Sequence, residues 1–241
     1  MTPGVKTRPR LTTFFKKNRN FVAVNENRLN RPQDLLPEPT LRRLPWYLAY
    51  VATLRQEGVE NVSSRRLAHD LAVDASQIAK DLSFINIKGK TRIGYDVIEL
   101  EEALQSFLGF GRSHNALMAG VGSLGAALMR DSGLQRYGLD IVAGIDSDPR
   151  VAGTEIAGIP VFFPNELPSI VKRLDIRIGI IAVPVEEAQS VADRLVGAGI
   201  KALWNFTPRR IRVEKGVVVT NTSIYSHLAV MYNRLGNMDL S

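Results

Sequence analysis

The chain has 241 residues, a net charge of +7, 45% hydrophobic and 23% charged residues, which is an ordinary soluble, globular composition at a length that suits two domains. It has no cysteine, which excludes disulfides, thiol switches and cysteine-bound metals, so any redox response must come from a bound cofactor. No apolar run reaches the ~20 residues of a membrane span and the N-terminus lacks a signal peptide's apolar core, so a cytoplasmic protein with no membrane partner is expected.

Charge is uneven along the chain. Residues 1–112 carry 18 Lys/Arg against 12 Asp/Glu, and residues 113–241 carry 13 against 12. A basic N-terminal half points to a polyanionic partner. Residues 1–39 are expected to form a basic, disordered extension, closed by the proline-rich stretch from Pro32 to Pro39. Its run Thr12-Thr13-Phe14-Phe15-Lys16-Lys17 suits either a nucleic-acid contact or a solubilising arm.

Residues 40–111 read as a small DNA-binding domain. A helix is expected from near Leu44-Pro45 to Gly58, because proline is tolerated in a first turn. Ser63 or Ser64 caps a second helix with Leu67, Ala68 and Leu71 on one face. Asp74 can cap a third, with Ala75, Ile78, Ala79 and Leu82 inward and Ser76, Gln77, Lys80 and Ser83 outward. Two short helices around a tight turn make a helix-turn-helix. The run Lys88-Gly89-Lys90-Thr91-Arg92-Ile93-Gly94-Tyr95 reads as a basic hairpin, the wing of a winged helix; a small domain that contacts protein is the alternative. Gln77 and Ser76 are the residues expected to reach base edges. Arg65, Arg66, Lys80, Lys88, Lys90 and Arg92 suit phosphates, which position a domain without reading sequence.

Residues 112–222 carry the most specific motif. Gly120-Val121-Gly122-Ser123-Leu124-Gly125 follows the apolar stretch Ala116–Ala119 and opens an apolar-periodic segment, Leu124–Met129. Asp146 stands about 20 residues on, after the apolar run Ile141–Ile145. Gly120 permits a tight strand-to-helix turn, Gly122 lets backbone approach a pyrophosphate, and Gly125 lets helix and strand pack closely. The helix N-terminus offers N–H groups to phosphates. Asp146 would accept hydrogen bonds from ribose hydroxyls and repel a 2′-phosphate, which favours NAD(H) over NADP(H). Asp140–Ile145, Ile176–Ala182, Lys201–Phe206 and Val217–Thr220 read as strands of a parallel, Rossmann-like sheet, with a helix at Val185–Val196. Residues 223–241 hold a last helix, Ser223–Leu235, with Ile224, Leu228, Met231 and Leu235 on one stripe. His69, His114 and His227 are scattered, so neither a metal nor a catalytic site is expected.

The combination resembles the Rex family of redox-sensing repressors over roughly residues 40–235. The segments that carry the resemblance are Arg43-Leu44-Pro45-Trp46-Tyr47, Lys80-Asp81-Leu82-Ser83-Phe84, Gly94-Tyr95-Asp96-Val97, the glycine loop, Val183-Pro184 and Asn205-Phe206-Thr207-Pro208. The resemblance implies a homodimer with winged-helix and NAD(H)-binding domains that binds inverted-repeat operators and leaves DNA when NADH rises relative to NAD+. It implies a C-terminal helix exchanged between subunits, and places Val183, Pro184, Asn205 and Phe206 near the cofactor at strand ends. Three positions depart from the family pattern. Ala79 stands where an arginine is usual before Lys-Asp-Leu, Asp131 where a tyrosine follows the glycine-loop helix, and Ser223 where an aspartate opens the final helix. Operator preference and the redox response are therefore not carried over unchanged. Two other classes compete with this reading. An NAD-dependent dehydrogenase needs an acid/base group and a substrate domain that the chain lacks. A regulator that binds another nucleotide, such as coenzyme A, is disfavoured by Asp146.

Overall fold

The computed structural model describes residues 36–238. The expectations for residues 1–35 lie outside the described residues.

The first domain is built on α1 (Glu38–Gln56), α2 (Ser64–Leu71), α3 (Ala75–Phe84) and α4 (Val97–Leu108), with a two-stranded antiparallel sheet of β1 (Asn61–Val62) and β2 (Tyr95–Asp96). Helix α1 begins earlier than its sequence suggests. Pro39, not Pro45, occupies the first turn, and Pro45 lies inside the helix. An interior proline removes one backbone hydrogen bond, and burial of Leu44, Tyr47, Leu48 and Val51 on either side offsets that loss. Gly58, at φ +75°, follows the helix end. Ser63 caps α2, its Oγ accepting from Arg66 N–H at 3.1 Å. Ala72 takes a left-handed conformation in the turn to α3. Asp74 occupies the N-cap position of α3, but its side chain makes no capping hydrogen bond. Asp96 does cap α4, accepting from Ile98 and Glu99 N–H at 2.9 and 3.0 Å. Leu44, Val51, Leu67, Ile78, Leu82, Val97, Leu100 and Leu104 form one buried core.

The second domain is a seven-stranded sheet. In chain order it contains β3 (His114–Ala119), α5 (Ser123–Arg130), the single turn α6 (Gly133–Arg136), β4 (Leu139–Ile145), β5 (Glu155–Ile156), β6 (Ile159–Phe162), α7 (Leu167–Arg173), β7 (Ile178–Ile181), α8 (Ala188–Gly197), β8 (Ala202–Asn205) and β9 (Val218–Asn221). The strand order is β5-β6-β4-β3-β7-β8-β9. All neighbours pair in parallel except β5 with β6. Counting the parallel strands in chain order gives 3-2-1-4-5-6, the doubly wound dinucleotide-binding arrangement, whose order reverses between β3 and β7. Ile170, Val171, Val191 and Leu195 cover one face of the sheet, and Ala126 and Met129 cover the other. Helix α8 starts three residues later than expected, because Glu187 N–H turns back onto the Pro184 carbonyl.

The final helix, α9 (Ile224–Met238), is capped by Ser223, whose Oγ accepts from Ser226 N–H at 3.2 Å. Ile224, Tyr225, Val230, Met231, Tyr232 and Leu235 are all 48% exposed or more, so in the single chain the expected apolar stripe stands uncovered except at Leu228, which is half-buried. Between the domains, Phe110 and Tyr137 meet edge to face at 5.1 Å between ring centroids. No described helix is long and apolar enough to cross a membrane.

Candidate functional site

The glycine loop joins β3 to α5 where the strand order reverses. Gly120 has φ +87°, and a Cβ there would lie 2.6 Å from the Ala182 carbonyl oxygen and 2.7 Å from a Val183 methyl. The loop is therefore pressed against the segment that follows β7. At Gly125 a Cβ would stand 2.0 Å from the Gly120 carbonyl oxygen, so only glycine lets the helix close on the strand. Gly122 is different: nothing lies within 4 Å of a Cβ added there. It occupies the N-cap of α5 without any side-chain cap, which leaves the first-turn N–H groups facing open space that suits a phosphate. Val121 is buried, while Ser123 and Leu124 are exposed.

Asp146 follows β4 directly and is half-buried. Its Oδ2 accepts from Val121 N–H at 2.7 Å and its Oδ1 from Asp148 N–H at 2.9 Å. These bonds hold the carboxylate against the glycine loop, and each oxygen keeps acceptor capacity for a hydroxyl. Nearby, Asp148 pairs with Arg150 at 2.6 Å. Side-chain and backbone bonds from Arg150 bring the Asp148 carboxyl down to about 2. Val183 and Pro184 line the same end of the sheet, half-buried and exposed respectively.

Asn205 sits at the end of β8, fully buried. Its amide nitrogen donates to the Arg209 carbonyl at 2.7 Å and to Asn221 Oδ1 at 2.9 Å; its oxygen accepts from Thr207 N–H and Oγ1–H at 3.0 and 2.8 Å. The side chain is thus committed to shaping its own loop, which carries Phe206, whose ring meets that of Trp204 at 4.7 Å between centroids with the planes tilted by 44°.

On the first domain, Ser76 and Lys80 project from α3 into solvent together with Ala79 and Ser83. The expected inward face needs correction. Ala75 and Ala79 are exposed, and the buried face is Ile78, Asp81 and Leu82. Asp81 looks like a surface residue in sequence, yet it is fully buried. It accepts hydrogen bonds from Thr40 Oγ1 at 2.9 Å, Arg43 Nε and Nη2 at 2.7 and 2.9 Å, Tyr47 Oη at 2.8 Å and Gln77 Nε2 at 2.8 Å. Burial by itself raises the Asp81 pKa, but these donors outweigh it and leave the carboxyl below its ordinary value. Arg43 is held more firmly protonated by Asp81. Tyr47 is pushed up to about 12, first by burial and then by Asp81. Gln77 is therefore not a free outward side chain: one amide hydrogen is spent on Asp81, while its Oε1 and second N–H stay available. The Arg43-to-Tyr47 and Lys80-to-Phe84 segments meet in space through this network, a link that their sequence separation hides.

The wing is a tight turn. Lys90 and Gly94 exchange backbone hydrogen bonds at 2.7 and 2.9 Å, and Arg92 stands at φ +66°. A Cβ at Gly94 would meet the Val62 carbonyl oxygen at 2.3 Å, so glycine is required where the wing folds onto β1. Arg65, Lys90 and Arg92 line one groove between α2 and the wing. Lys88 is exposed beside it, and Arg66 is drawn toward Asp70 at 3.7 Å.

These features define a winged helix joined to a dinucleotide-binding fold. Two family models match, "Putative DNA-binding protein N-terminus" over residues 36–83 and "CoA binding domain" over residues 112–209. The redox-sensing transcriptional repressor Rex of Bacteroides thetaiotaomicron is 54% identical over 200 residues, covering 83% of this chain and 91% of that protein. Rex of Treponema denticola is 41% identical, covering 81% and 94%. Among solved structures, the crystal structure of RSP in complex with β-NAD+ and operator DNA superposes with a TM-score of 0.82 at 34% identity, covering 86% of this chain and 95% of that one. RSP in complex with β-NADH gives 0.77, covering 86% and 97%. The chain belongs to the Rex family of redox-sensing transcriptional repressors, and these relatives are named as repressors, not enzymes.

Proposed function

We propose that the chain acts in the cytoplasm as a homodimeric repressor that binds an inverted-repeat operator and releases it when NADH rises relative to NAD+. One observation carries the reading above others. A glycine loop closed against Ala182 and Val183, with Asp146 hydrogen-bonded to it, stands in the same chain as a helix-turn-helix with a basic wing. NAD(H) would lie across the switch point, its pyrophosphate over Gly122, Ser123 and Leu124, and an adenosine ribose against Asp146. Val183, Pro184 and Phe206 would flank its far end, with Asn205 holding the Phe206 loop. Bound there, the cofactor supplies only its redox state, read as a difference in shape and charge. On the DNA side, Ser76, Gln77 and Lys80 face the major groove, and Arg65, Arg66, Lys88, Lys90 and Arg92 hold phosphates.

The domain model named for coenzyme A leaves a second nucleotide to consider. Asp146 favours a ribose with free hydroxyls, whereas the 3′-phosphate of coenzyme A would meet its negative charge. Direct titration with NADH, NADPH and coenzyme A decides between them. NADH binds tightest under this reading, and Asp146→Ala weakens NADH and narrows its lead over NADPH. Tighter binding of coenzyme A than of NADH would overturn the cofactor assignment.

A further inference from the structure

Helix α3 presents one side chain suited to reading a base through two hydrogen bonds at once. Among its exposed residues, Ala75, Ala79 and Phe84 have no polar side-chain atom, and Lys80 is a point charge. Ser83 Oγ donates to the Lys80 carbonyl at 2.7 Å, and Ser76 offers a single hydroxyl. Gln77 alone has a planar end with donor and acceptor side by side. That end is not free. Gln77 is half-buried, and its Nε2 donates to Asp81 Oδ1 at 2.8 Å, one helical turn along the same face.

Asp81 fixes which way round that amide stands. Its oxygens also accept from Thr40 Oγ1, from Arg43 Nε and Nη2 and from Tyr47 Oη, so it is ringed by donors and has no proton to give. Those donors hold its carboxyl below the ordinary value, which keeps it ionised. A carboxylate so placed repels Gln77 Oε1 and admits only the nitrogen. This removes the flip by which a glutamine exchanges its donor and acceptor ends. One Nε2–H is spent, and Gln77 is left with one N–H beside one oxygen. Adenine matches that pair, with N7 as acceptor and the N6 amino group as donor, whereas guanine shows two acceptors, N7 and O6. A glutamine with both N–H groups free serves guanine as well; this one does not.

We infer that Asp81 is a positioning residue for base reading: by holding one N–H of Gln77, it makes α3 select adenine over guanine at one base pair of each half-site. The inference rests on the DNA-binding reading above. The test selects duplexes from a random-sequence library with the full chain, then measures affinity for duplexes that differ at the one position whose preference Gln77→Ala erases. The unmodified chain should prefer adenine over guanine there by about fivefold or more, the low end for a bidentate pair. Asp81→Asn places a side chain there that either accepts from Gln77 or donates to it. It should bring that ratio to about twofold or less and leave preferences at other positions unchanged. Tyr47→Phe removes a different donor to Asp81 and leaves the Gln77 bond, so it should keep the ratio although it loosens the same network. If Asp81→Asn does not fold, Arg43→Gln together with Asp81→Asn leaves no lone buried charge and carries the same measurement. Full adenine preference in the Asp81→Asn protein, or an equal loss in the Tyr47→Phe protein, would overturn the inference and leave the DNA-binding reading standing. A preference of the unmodified chain for another base at that position would do the same. Failure of the unmodified chain to bind any duplex of the library, even at low salt, would overturn both.

Discussion

Three glycines in one loop do different things, and substitution separates them. A Cβ at Gly125 would collide with the Gly120 carbonyl oxygen at 2.0 Å, a backbone atom that cannot swing aside. Gly125→Ala should therefore destabilise the second domain by about 1–3 kcal/mol and abolish NADH binding. At Gly122 the surrounding space is empty, so Gly122→Ala should change stability by less than about 0.5 kcal/mol. It should still weaken NADH several-fold, because the methyl takes the place of approaching phosphate. Thermal unfolding and cofactor titration of both variants check the pair; equal stability losses would contradict it. Asp81 gives a second test. Removing its charge breaks a buried ion pair, so Asp81→Asn should cost about 3 kcal/mol at neutral pH, near the low end for such pairs because Arg43 stays partly open to solvent. Its folded-state pKa is depressed, so this stabilisation is complete above the unfolded carboxyl value of about 3.9 and fades as pH falls through the folded value. Urea unfolding of both proteins should show the gap narrowing below about pH 4. Asp81 also shows why part of the site is hidden from sequence. A charged residue at a helical position reads as outward, and only five hydrogen bonds from four side chains of α1 and α3 make its burial tolerable. Asp146, by contrast, is legible because its distance from the glycine loop is set by the length of one strand-helix-strand unit.

Among the elements, those with continuous apolar runs or a helical period are legible, and the short ones are not. β3, β4, β7 and β8 stand within two residues of their expected positions at each end, since strands covered on both faces must be apolar throughout. β5, β6 and α7 give no comparable signal. β5 has two residues and β6 four, and Pro164 and Pro168 break the pattern before α7 establishes a period. The inward face of α3 is rotated from its expected position because Ala75 and Ala79 offer apolar character without burial. α9 is legible as an amphipathic helix, but most of its stripe is left bare in one chain: Tyr225 and Tyr232 are 64% and 62% exposed. Exposed aromatic and aliphatic side chains on one helix mark an association surface. If a second copy covers it, Met231→Glu with Tyr232→Glu should convert a dimer to a monomer in sedimentation and leave the monomer folded. The same variant should lose its NADH response, since α9 would carry the coupling between subunits. A double variant that still sediments as a dimer would remove α9 from the interface.

At the scale of the whole molecule, the proposed function requires the two sites to be joined through a dimer. Two winged helices can engage two half-sites only at a fixed separation, and half-sites lie about one helical turn or a multiple apart. A cofactor changes DNA affinity only by the difference in its own affinity for the two dimer arrangements, and linkage makes the effect reciprocal. Asp131 bears on how this chain makes that difference. Its Oδ1 accepts from Gly133 N–H at 2.8 Å, tying it into the turn between α5 and α6. Ser223, where the family usually has an aspartate, is occupied in capping α9. The NADH/NAD+ discrimination should therefore differ from that of relatives that keep the tyrosine and aspartate. The coupling of cofactor to DNA is tested most directly by titrating the full chain onto its operator in saturating NADH, in saturating NAD+ and without cofactor, at one salt concentration. NADH should weaken operator binding at least tenfold relative to NAD+, a coupling of about 1.4 kcal/mol, and operator DNA should weaken NADH by the same factor. Identical operator affinity in NADH and NAD+, with both cofactors shown to be bound, would contradict it.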